Sequence, residues 1–384
     1  MKLYQKIIIG ILSVLAITVT CATVWAAFAY KDANATFAAI SKHTERKSSK
    51  RTKAVSLEDR DPITIALFGI DTGGLGRTEQ GRSDTMMIVT LNPKEKKTTV
   101  VSLDRDIYTK IVGNGTYDKL NHAYAFGGVK MALDSIEYLL DVPIDHYVSI
   151  NLQGLTDLID AVGGIEVNNK IDFTLDGIHV PEGKQHLDGT TGLAYARMRK
   201  QDPEGDIGRQ RRQREVVSKI VHKVLGLDGI SKYKEILKAV QDNCTTNLTW
   251  DQLLDISKNY VPALENIQSY QLSGEEPSWQ SDVYYQVLGK HELLNIQNLI
   301  KSELGLPTKS ELTVSDGYSD GYSADQLYDD EDTALESDEQ AQKEAKEKAQ
   351  QSSTSSDSET SGSVTNVDNT QTDYVTDENV AVNQ

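Results

Sequence analysis

The chain has 384 residues and a formal net charge of −17 at pH 7, a length that allows one large domain or two smaller ones. The acidity lies at one end, because residues 311–384 hold 19 acidic and 3 basic side chains, whereas the rest of the chain holds 38 acidic and 37 basic ones. Because there is no basic domain, nucleic-acid binding as the main function is disfavoured. The two cysteines form neither a disulfide framework nor a CxxC metal motif.

An uncharged, mostly apolar stretch, residues 7–29, follows the basic residues of 1–6. It has about the length needed to cross a bilayer as a helix. Small residues near its end also fit a cleaved signal peptide, but the unbroken apolar length favours an uncleaved anchor. We predict a single-pass transmembrane anchor. A polar linker over 30–60 then leads to a folded domain over 61–306. The basic residues of the linker would, by the positive-inside rule alone, place the domain in the cytoplasm, but large domains can translocate regardless of such counts.

The folded domain is predicted to begin with three short strands rich in β-branched residues. They span residues 63–68, 86–91 and 98–103. If these strands pair antiparallel, Asp71, Asp84 and Arg105 all lie at one end of the sheet. Two carboxylates beside an arginine are suited to hold a divalent cation and direct a phosphate against it. Either aspartate alone could equally serve the turns that are usual where strands meet loops.

Helical spacing of apolar residues predicts the next helix over 129–140. A strand over 145–150, a helix over 152–161 and a strand over 165–167 then predict a β-α-β unit, which implies parallel pairing and helices covering the sheet. His122 lies near the start of the first of these helices. Such a histidine is more often a hydrogen-bonded structural residue than a catalyst.

Five arginines and one lysine lie within residues 197–212. Apolar residues at helical spacing after Asp206 place Arg209 and Arg212 on the inward face of a helix. Inward guanidiniums need anionic partners, and their planar forks match phosphate oxygens bidentately. Internal carboxylates such as Asp206 and Glu215 are the alternative partners for some of them.

The remaining pattern predicts three helices and two short strands. The helices cover 231–240, 250–260 and 292–304, and the strands cover 267–272 and 282–287. Together the elements predict an α/β fold with a mixed central β-sheet covered by helices on both faces. The acidic, Ser/Thr-rich residues 307–384 are typical of a disordered tail.

Several motifs in order closely resemble the LytR-CpsA-Psr family over residues 62–225, and the predicted anchor fits it too. They are Arg82-Ser83-Asp84-Thr85-Met86-Met87, Asn92-Pro93, Ser102-Leu103-Asp104-Arg105-Asp106, Lys119-Leu120-Asn121-His122-Ala123-Tyr124, Ala194-Tyr195-Ala196-Arg197-Met198-Arg199 and Gly205-Asp206-Ile207-Gly208-Arg209-Gln210-Arg211-Arg212-Gln213. One motif departs from the family, because Asp104 stands where many members have proline. It adds a negative charge beside Arg105.

The resemblance implies an α/β/α sandwich and a membrane-anchored enzyme of Gram-positive bacteria, with residues 1–6 in the cytoplasm and the domain on the extracytoplasmic face of the cell membrane. Such an enzyme would move an anionic glycopolymer, such as wall teichoic acid or capsular polysaccharide, from undecaprenyl diphosphate to peptidoglycan through a phosphodiester link. The implied partners are therefore a polyprenyl-diphosphate-linked donor, a peptidoglycan acceptor and the membrane, with no nucleic acid. The family's apolar tunnel for the polyprenyl tail would be lined by segments such as 129–140 and 152–162.

The resemblance also implies roles for individual residues. The aspartates associated with the cofactor Mg²⁺ match Asp71 and Asp84, and the diphosphate-binding residues match Arg105, Arg197, Arg199, Arg209 and Gln213. We expect Arg105, Arg197 and Arg199 also to stabilise the charge that develops during catalysis. Asp106 and Asp206 are candidates for the base that activates the acceptor hydroxyl.

Three other functions fit part of the same pattern. A polyprenyl-phosphate receptor without turnover would use the same arginines and an apolar pocket. A regulator of cell-envelope gene expression is disfavoured by the near-neutral domain, the acidic tail and the lack of a helix-turn-helix candidate. A lipid-diphosphate phosphatase would use water in place of the acceptor.

Overall fold

The structure is a computed structural model that describes residues 3–41, 50–51, 53–73, 81–225, 232–276 and 282–312. Within these residues the helices are α1 (Leu3–Ile40), α2 (His122–Leu140), α3 (Leu152–Ala161), α4 (Gly189–Arg197), α5 (Gly205–Leu225), α6 (Tyr233–Gln241), α7 (Trp250–Asn259) and α8 (Lys290–Glu303). The strands are β1 (Ile63–Ile70), β2 (Ser83–Asn92), β3 (Lys97–Leu103), β4 (Tyr108–Lys110), β5 (Tyr117–Lys119), β6 (His146–Asn151), β7 (Ile165–Asn169), β8 (Phe173–Leu175), β9 (Ile178–Val180), β10 (Gly183–Leu187), β11 (Cys244–Thr246) and β12 (Asn266–Leu272). The predicted tail lies outside the described residues from 313 onward.

A six-stranded mixed sheet, in the order β11-β6-β1-β2-β3-β12, organises the fold. The first three strands pair antiparallel, as the sequence predicts. β6 runs parallel to β1, and β12 runs parallel to β3. Successive side chains of a strand point to opposite faces of the sheet, so alternate residues of each strand belong to the same face.

One face of the sheet, called the core face, carries Ala66, Phe68 and Ile70 of β1. These side chains are at most 4% exposed and pack in one cluster with α2 and α8, which contribute residues such as Leu133 and Ile300. Each large side chain buried in this way stabilises the fold by about 1.5–3 kcal/mol. The expectation that 129–140 lines a tunnel is wrong for most of this segment, because its inward residues are packed in this core with almost no accessible surface.

The opposite face, called the open face, carries Leu67, Val89, Val100 and Val148 on four adjacent strands, together with alternate residues such as Ile63. Helices also cover this side. Near one end of the sheet, Ile63 clusters with residues of α7 and of the 3₁₀ turn Val261–Glu265. The predicted coverage of the sheet by helices on both faces is confirmed.

The predicted β-α-β unit is wrong at its second strand. β7 does not join the main sheet but pairs antiparallel with β10 in a separate two-stranded sheet. The place beside β6 is already taken by β11 on one side and β1 on the other. Gly163 and Gly164, both with positive φ, turn the chain away after α3. β7 therefore packs with α4 and α5 in a second apolar cluster.

The predicted strand over 282–287 is also wrong. Its Gln286 makes only an isolated bridge to Ile107, and Val287 makes another to Glu275. The backbone of Gln286 donates to the carbonyl of Asp106 at 2.8 Å, and its own carbonyl accepts from the N–H of Tyr108 at 2.8 Å. The segment therefore braces the loop after β3 instead of extending a sheet.

α1 continues through the first part of the segment predicted as a linker and packs on the domain. Trp25 and Tyr233 pack edge to face, with ring centroids 5.5 Å apart. The ring centroid of Phe37 lies 5.4 Å from that of Trp250. Ile40, the last residue of the helix, is buried. In the part of the chain that the structure describes, no helix is long and apolar enough to cross a membrane.

Candidate active site

Asp84 occupies an irregular position in the β1–β2 hairpin. Gly69 pairs with Thr85 and Ile70 pairs with Ser83, so Asp84 is the extra residue of a β-bulge. A bulge increases the local twist and turns a side chain away from the regular alternation, and bulges are common beside functional sites. The bulge thus sets the direction of the Asp84 carboxylate.

Asp71 follows β1 directly and lies at the same end of the hairpin. Its N–H donates to the carbonyl of Arg82 at 3.0 Å, which extends the β1–β2 hairpin by one more backbone hydrogen bond. A Cβ at Gly81 would lie only 2.6 Å from the carbonyl oxygen of Asp71, so a glycine is required at this close approach. The two predicted metal-binding aspartates are therefore held on neighbouring strand ends.

The Arg105 side chain joins this end of the hairpin. Its Nη1 lies 2.9 Å from Oδ2 of Asp84. The other carboxylate oxygen of Asp84 accepts a hydrogen bond of 3.1 Å from Nδ2 of Asn121. The N–H of Asn121 also donates to the carbonyl of Arg105 at 3.2 Å. As expected, Asp71, Asp84 and Arg105 all lie at one end of the sheet.

Asp106 is engaged by two cations. Its Oδ1 lies 2.9 Å from Nζ of Lys119, and its Oδ2 lies 3.5 Å from Nε of Arg105. The residue is 7% exposed. Because both oxygens face cations, neither is free to take a proton from an acceptor hydroxyl, and the geometry suits an electrostatic anchor better than the predicted base.

The chain just before α2 supplies further contacts that sequence reasoning missed. Lys119 contacts Asp106, and Asn121 contacts Asp84. Both residues belong to the family motif at 119–124, which could have identified them from the sequence. His122 lies next to these residues, and its Nδ1 is 2.7 Å from Oδ2 of Asp118. That hydrogen bond gives His122 the structural role favoured for it.

The first turn of α5 brings Asp206 and Arg209 to the site, and Arg199, in the connection between α4 and α5, joins them. Oδ1 of Asp206 lies 2.7 Å from Nη2 of Arg209 and 3.4 Å from Nε of Arg199. Oδ2 of Asp206 accepts from Nε2 of Gln210 at 3.1 Å. Asp206 therefore forms ion pairs with both arginines through Oδ1 and accepts a hydrogen bond through Oδ2.

Asp104 lies between the loop that carries Arg105 and Asp106 and the start of α5, which carries Asp206. Its side chain is 1% exposed at the end of β3. Burial, reinforced by the negative charges of Asp206 and Asp106, raises the pKa of Asp104 to about 6. The effect of Asp206 on Asp104 shows that the loop after β3 lies close to the start of α5. Burial would lower the pKa of Arg105, but Asp84, Asp106 and Asp206 raise it, so this guanidinium stays charged.

The structure does not bring Arg197 into this cluster. Nη1 of Arg197 lies 2.8 Å from Oδ2 of Asp176, which occupies the β8–β9 turn with a φ of 51°. α4 ends at Arg197, and Met198 is extended, so Arg197 and Arg199 diverge. Gln213 donates to the carbonyl of Ala196 at 3.4 Å, which ties α5 to the end of α4.

Arg212 points inward as predicted, but its partners are internal. Its Nε donates to the carbonyl of Tyr195 at 3.0 Å, and its other nitrogens contact the carboxylate of Asp202 and the carbonyl of Met198. A Cβ at Gly208 would lie 1.8 Å from that carboxylate, so the pair requires glycine there. Arg212 therefore fastens the end of α4 to α5 and is not available to a phosphate.

The described residues contain no group of three or more His, Cys, Asp or Glu side chains that could hold a metal ion. Among the described residues at the hairpin end, Asp71 and Asp84 carry the carboxylates. Mg²⁺ is usually bound by one or two carboxylates together with substrate phosphates and water. The residues present thus fit a Mg²⁺ ion whose coordination a phosphate completes, and they do not fit an all-protein metal site.

A sequence profile for the LytR_cpsA_psr family matches residues 28–302. The chain belongs to this family. One LytR_cpsA_psr relative is the polyisoprenyl-teichoic acid–peptidoglycan teichoic acid transferase TagU of Enterococcus faecalis. It is 50% identical over 256 residues, which are 67% of this chain and 84% of that protein.

Two solved structures are similar to this LytR_cpsA_psr protein. One, described as a transcriptional regulator from Enterococcus faecalis, is 54% identical, with a TM-score of 0.61 over 67% of this chain and 93% of that one. The other, TagT bound to LIIa-WTA, is 30% identical, with a TM-score of 0.58 over 70% of this chain and 100% of that one. The mixed α/β fold is therefore that of the family.

Proposed function

We propose that this protein transfers an anionic glycopolymer, such as a teichoic acid, from a polyprenyl-diphosphate carrier to peptidoglycan, and that it does so through a phosphodiester link. The observation that carries the proposal is the Arg105–Asp84 pair, 2.9 Å apart, near Arg199 and Arg209, the two arginines that pair with Asp206. The name of the similar TagU protein supports the choice of polymer and acceptor. We also propose that residues 7–29 anchor the chain in the membrane, with the domain on the extracytoplasmic face.

The arginines explain how the site would hold a diphosphate. Burial lowers the pKa of Arg209, and the nearby positive charges of Arg105 and Arg199 lower it further. Arg105, Arg199 and Arg209 repel one another, and Arg199 and Arg209 share the single carboxylate of Asp206. A diphosphate placed among them would relieve this repulsion, and its oxygens match their forked geometry.

The open face explains how the site would hold the lipid. Leu67, Val100 and Val148 lie near the middle of the sheet and are partly exposed, although helices lie over this side. Strands covered by helices on both faces are normally buried on both faces. The exposure of these three side chains indicates a gap between sheet and helices, which is suited to an apolar chain. Leu155 and Leu158 of α3, in the segment predicted to line the tunnel, are also only partly buried.

In the proposed reaction an acceptor hydroxyl attacks the polymer-side phosphorus of the donor. A new P–O bond forms to peptidoglycan, the bond to the lipid-side phosphate breaks, and polyprenyl phosphate leaves with the electron pair. Protein catalysis of such a step consists mostly of positioning and charge neutralisation. Mg²⁺ held by Asp71 and Asp84 would supply further neutralisation of the phosphates.

The protein's own residues have separate tasks in this step. Arg105 and Arg199 would stabilise charge on the transferred and leaving phosphates, and Asp206 would hold Arg199 and Arg209 in position. The base for the acceptor hydroxyl remains a prediction for Asp106 or Asp206. Either carboxylate would first have to exchange a cation for the incoming substrate.

A deletion and complementation experiment tests the function. Deleting the gene should lower the anionic polymer linked to the cell wall, and the full chain should restore it, whereas an Arg105→Ala variant should not. An Arg211→Ala variant, whose side chain is exposed and paired with Glu204, serves as the matched control and should restore the polymer. Restoration by Arg105→Ala at normal protein levels would contradict the proposal and favour a receptor or regulator.

A further inference from the structure

Arg214 lies on α5, one helical turn beyond Gln210, and reaches across to the main sheet. Its Nη1 donates a hydrogen bond of 2.7 Å to the hydroxyl of Ser102 on β3. Ser102 is 1% exposed, so the guanidinium ends against the sheet and not in bulk solvent. Neither residue was identified as a site residue from the sequence.

Among the residues that the structure describes, no carboxylate pairs with the guanidinium of Arg214. Its neighbours on α5 each have a carboxylate partner: Arg209 pairs with Asp206, Arg211 with Glu204 and Arg212 with Asp202. In the described part of the chain, the contact recorded for Arg214 is the neutral hydroxyl of Ser102. Burial and the positive charge of Arg211 both lower the pKa of Arg214. A half-buried cation without a counter-anion is costly to the fold, so it indicates a place for an anion.

Arg214 is located between the charged cluster and the apolar part of the open face. Ser102 pairs with Met87, and Met87 pairs with Leu67, so these three side chains share the open face of adjacent strands. In the other direction, β3 ends at Leu103 and leads directly to Arg105. A donor with its diphosphate at Arg105 and its lipid on the open face would pass Arg214 at the junction between phosphate and lipid.

We propose that Arg214 binds the lipid-side phosphate of the polyprenyl-diphosphate donor and keeps hold of it in the polyprenyl phosphate product. The identity of the ligand rests on the proposed function. The guanidinium would bind two phosphate oxygens, while the hydroxyl of Ser102 orients it. Arg214 is then a binding residue in addition to the arginines that the sequence indicates.

Equilibrium binding to two lipids tests this assignment. The full chain in non-ionic detergent is titrated with radiolabelled undecaprenyl phosphate and, separately, with undecaprenol, which lacks the phosphate. Arg214→Gln should weaken binding of the phosphate by about 10- to 100-fold, the size expected for a lost charged hydrogen-bond pair, and leave undecaprenol within about twofold. The matched control Arg211→Gln, on the same helix, should leave both affinities unchanged. Equal loss of both lipids, or no loss of either, would overturn the proposal.

A second variant separates phosphate binding from a purely structural role. If Arg214 only fastens α5 to β3, Ser102→Ala should reproduce the whole effect of Arg214→Gln. The proposal predicts that Ser102→Ala keeps most of the preference for phosphate over alcohol, so full reproduction of the loss would overturn it. A wild-type chain that shows the Arg214-dependent preference but transfers no polymer would support this inference while contradicting the proposed function.

Discussion

The guanidinium of Arg105 lies 2.9 Å from the carboxylate of Asp84, and this pair joins the loop after β3 to the bulge in β2. The pair connects the predicted phosphate-binding side of the site to the predicted metal-binding side. Asn121 occupies the second oxygen of Asp84. A donor diphosphate and its metal ion would therefore have to exchange partners with this pair when they bind.

The competition between Arg105 and a cation for Asp84 gives the first prediction. Without donor, the wild-type chain should bind Mg²⁺ weakly, because Arg105 occupies the carboxylate and repels the ion. Arg105→Ala should bind Mg²⁺ several-fold more tightly, as measured by calorimetry with the full chain. The double variant that combines Arg105→Ala with Asp84→Asn should not show this increase in Mg²⁺ affinity. Unchanged or weaker Mg²⁺ binding by Arg105→Ala would contradict the assignment of Asp84 to the metal.

The position of Arg197 gives the second prediction. If Arg197 leaves Asp176 to contact the donor, Arg197→Ala should lower the rate of polymer transfer by about 100-fold, the usual size for a lost charge-stabilising donor. Asp176→Asn should keep near-normal transfer, because the arginine remains. If Asp176→Asn loses as much rate as Arg197→Ala, the ion pair supports the β8–β9 turn and Arg197 has no direct role.

The buried pair of Arg212 and Asp202 gives the third prediction. Their side chains are 5% and 1% exposed, so removing one partner leaves an uncompensated buried charge. Arg212→Ala should lower the free energy of unfolding by about 3–5 kcal/mol. Urea denaturation measures the change, with the exposed Arg211→Ala as a control that should stay within about 0.5 kcal/mol of wild type. A loss below about 1 kcal/mol for Arg212→Ala would contradict the structural role.

The buried carboxyl of Asp104 gives the fourth prediction. Because burial and the neighbouring Asp206 raise its pKa to about 6 from 3.8, the folded chain holds this proton more tightly than the unfolded chain. Ionisation of Asp104 therefore costs stability as the pH rises from about 4 to about 6. Asp104→Asn avoids that cost. Relative to wild type, its free energy of unfolding should therefore be larger, meaning a more stable fold, near pH 8 than near pH 4.

Denaturation in buffers with a chelator, across this pH range, measures the difference. The chelator keeps bound metal from changing the titration of the cluster. A difference between Asp104→Asn and wild type that stays constant over the whole range would show that Asp104 titrates normally in the folded chain.

Local patterns were sufficient for β1 to β3 and for α5, but the helix α4 that ends at Arg197 was not predicted. The β-branched runs predicted β1 to β3, and their antiparallel pairing correctly placed Asp84 and Arg105 at one end. The β7 strand was assigned to the wrong sheet because local sequence does not reveal that β11, far along the chain, already lies beside β6. Strand partners depend on the whole topology, which a single segment does not encode.

The partners of the site's side chains were equally hard to predict from local sequence. Helical spacing correctly placed Arg212 on an inward face, but it gave no way to tell a phosphate partner from Asp202, ten positions earlier. Arg214 lay outside the matched diphosphate-binding positions, so its contact with Ser102 across the fold became visible only in three dimensions.

Reconstitution of polymer transfer with the full chain is the most direct test of the central claim. A polyprenyl-diphosphate-linked oligosaccharide, peptidoglycan fragments and Mg²⁺ are incubated with wild type, Asp84→Asn or Arg211→Ala, and the products are read by mass spectrometry. We predict a sugar-phosphate linked to peptidoglycan with wild type and Arg211→Ala, and its loss with Asp84→Asn or a chelator. Tight lipid binding without product, or free sugar-phosphate without attachment to peptidoglycan, would contradict the account.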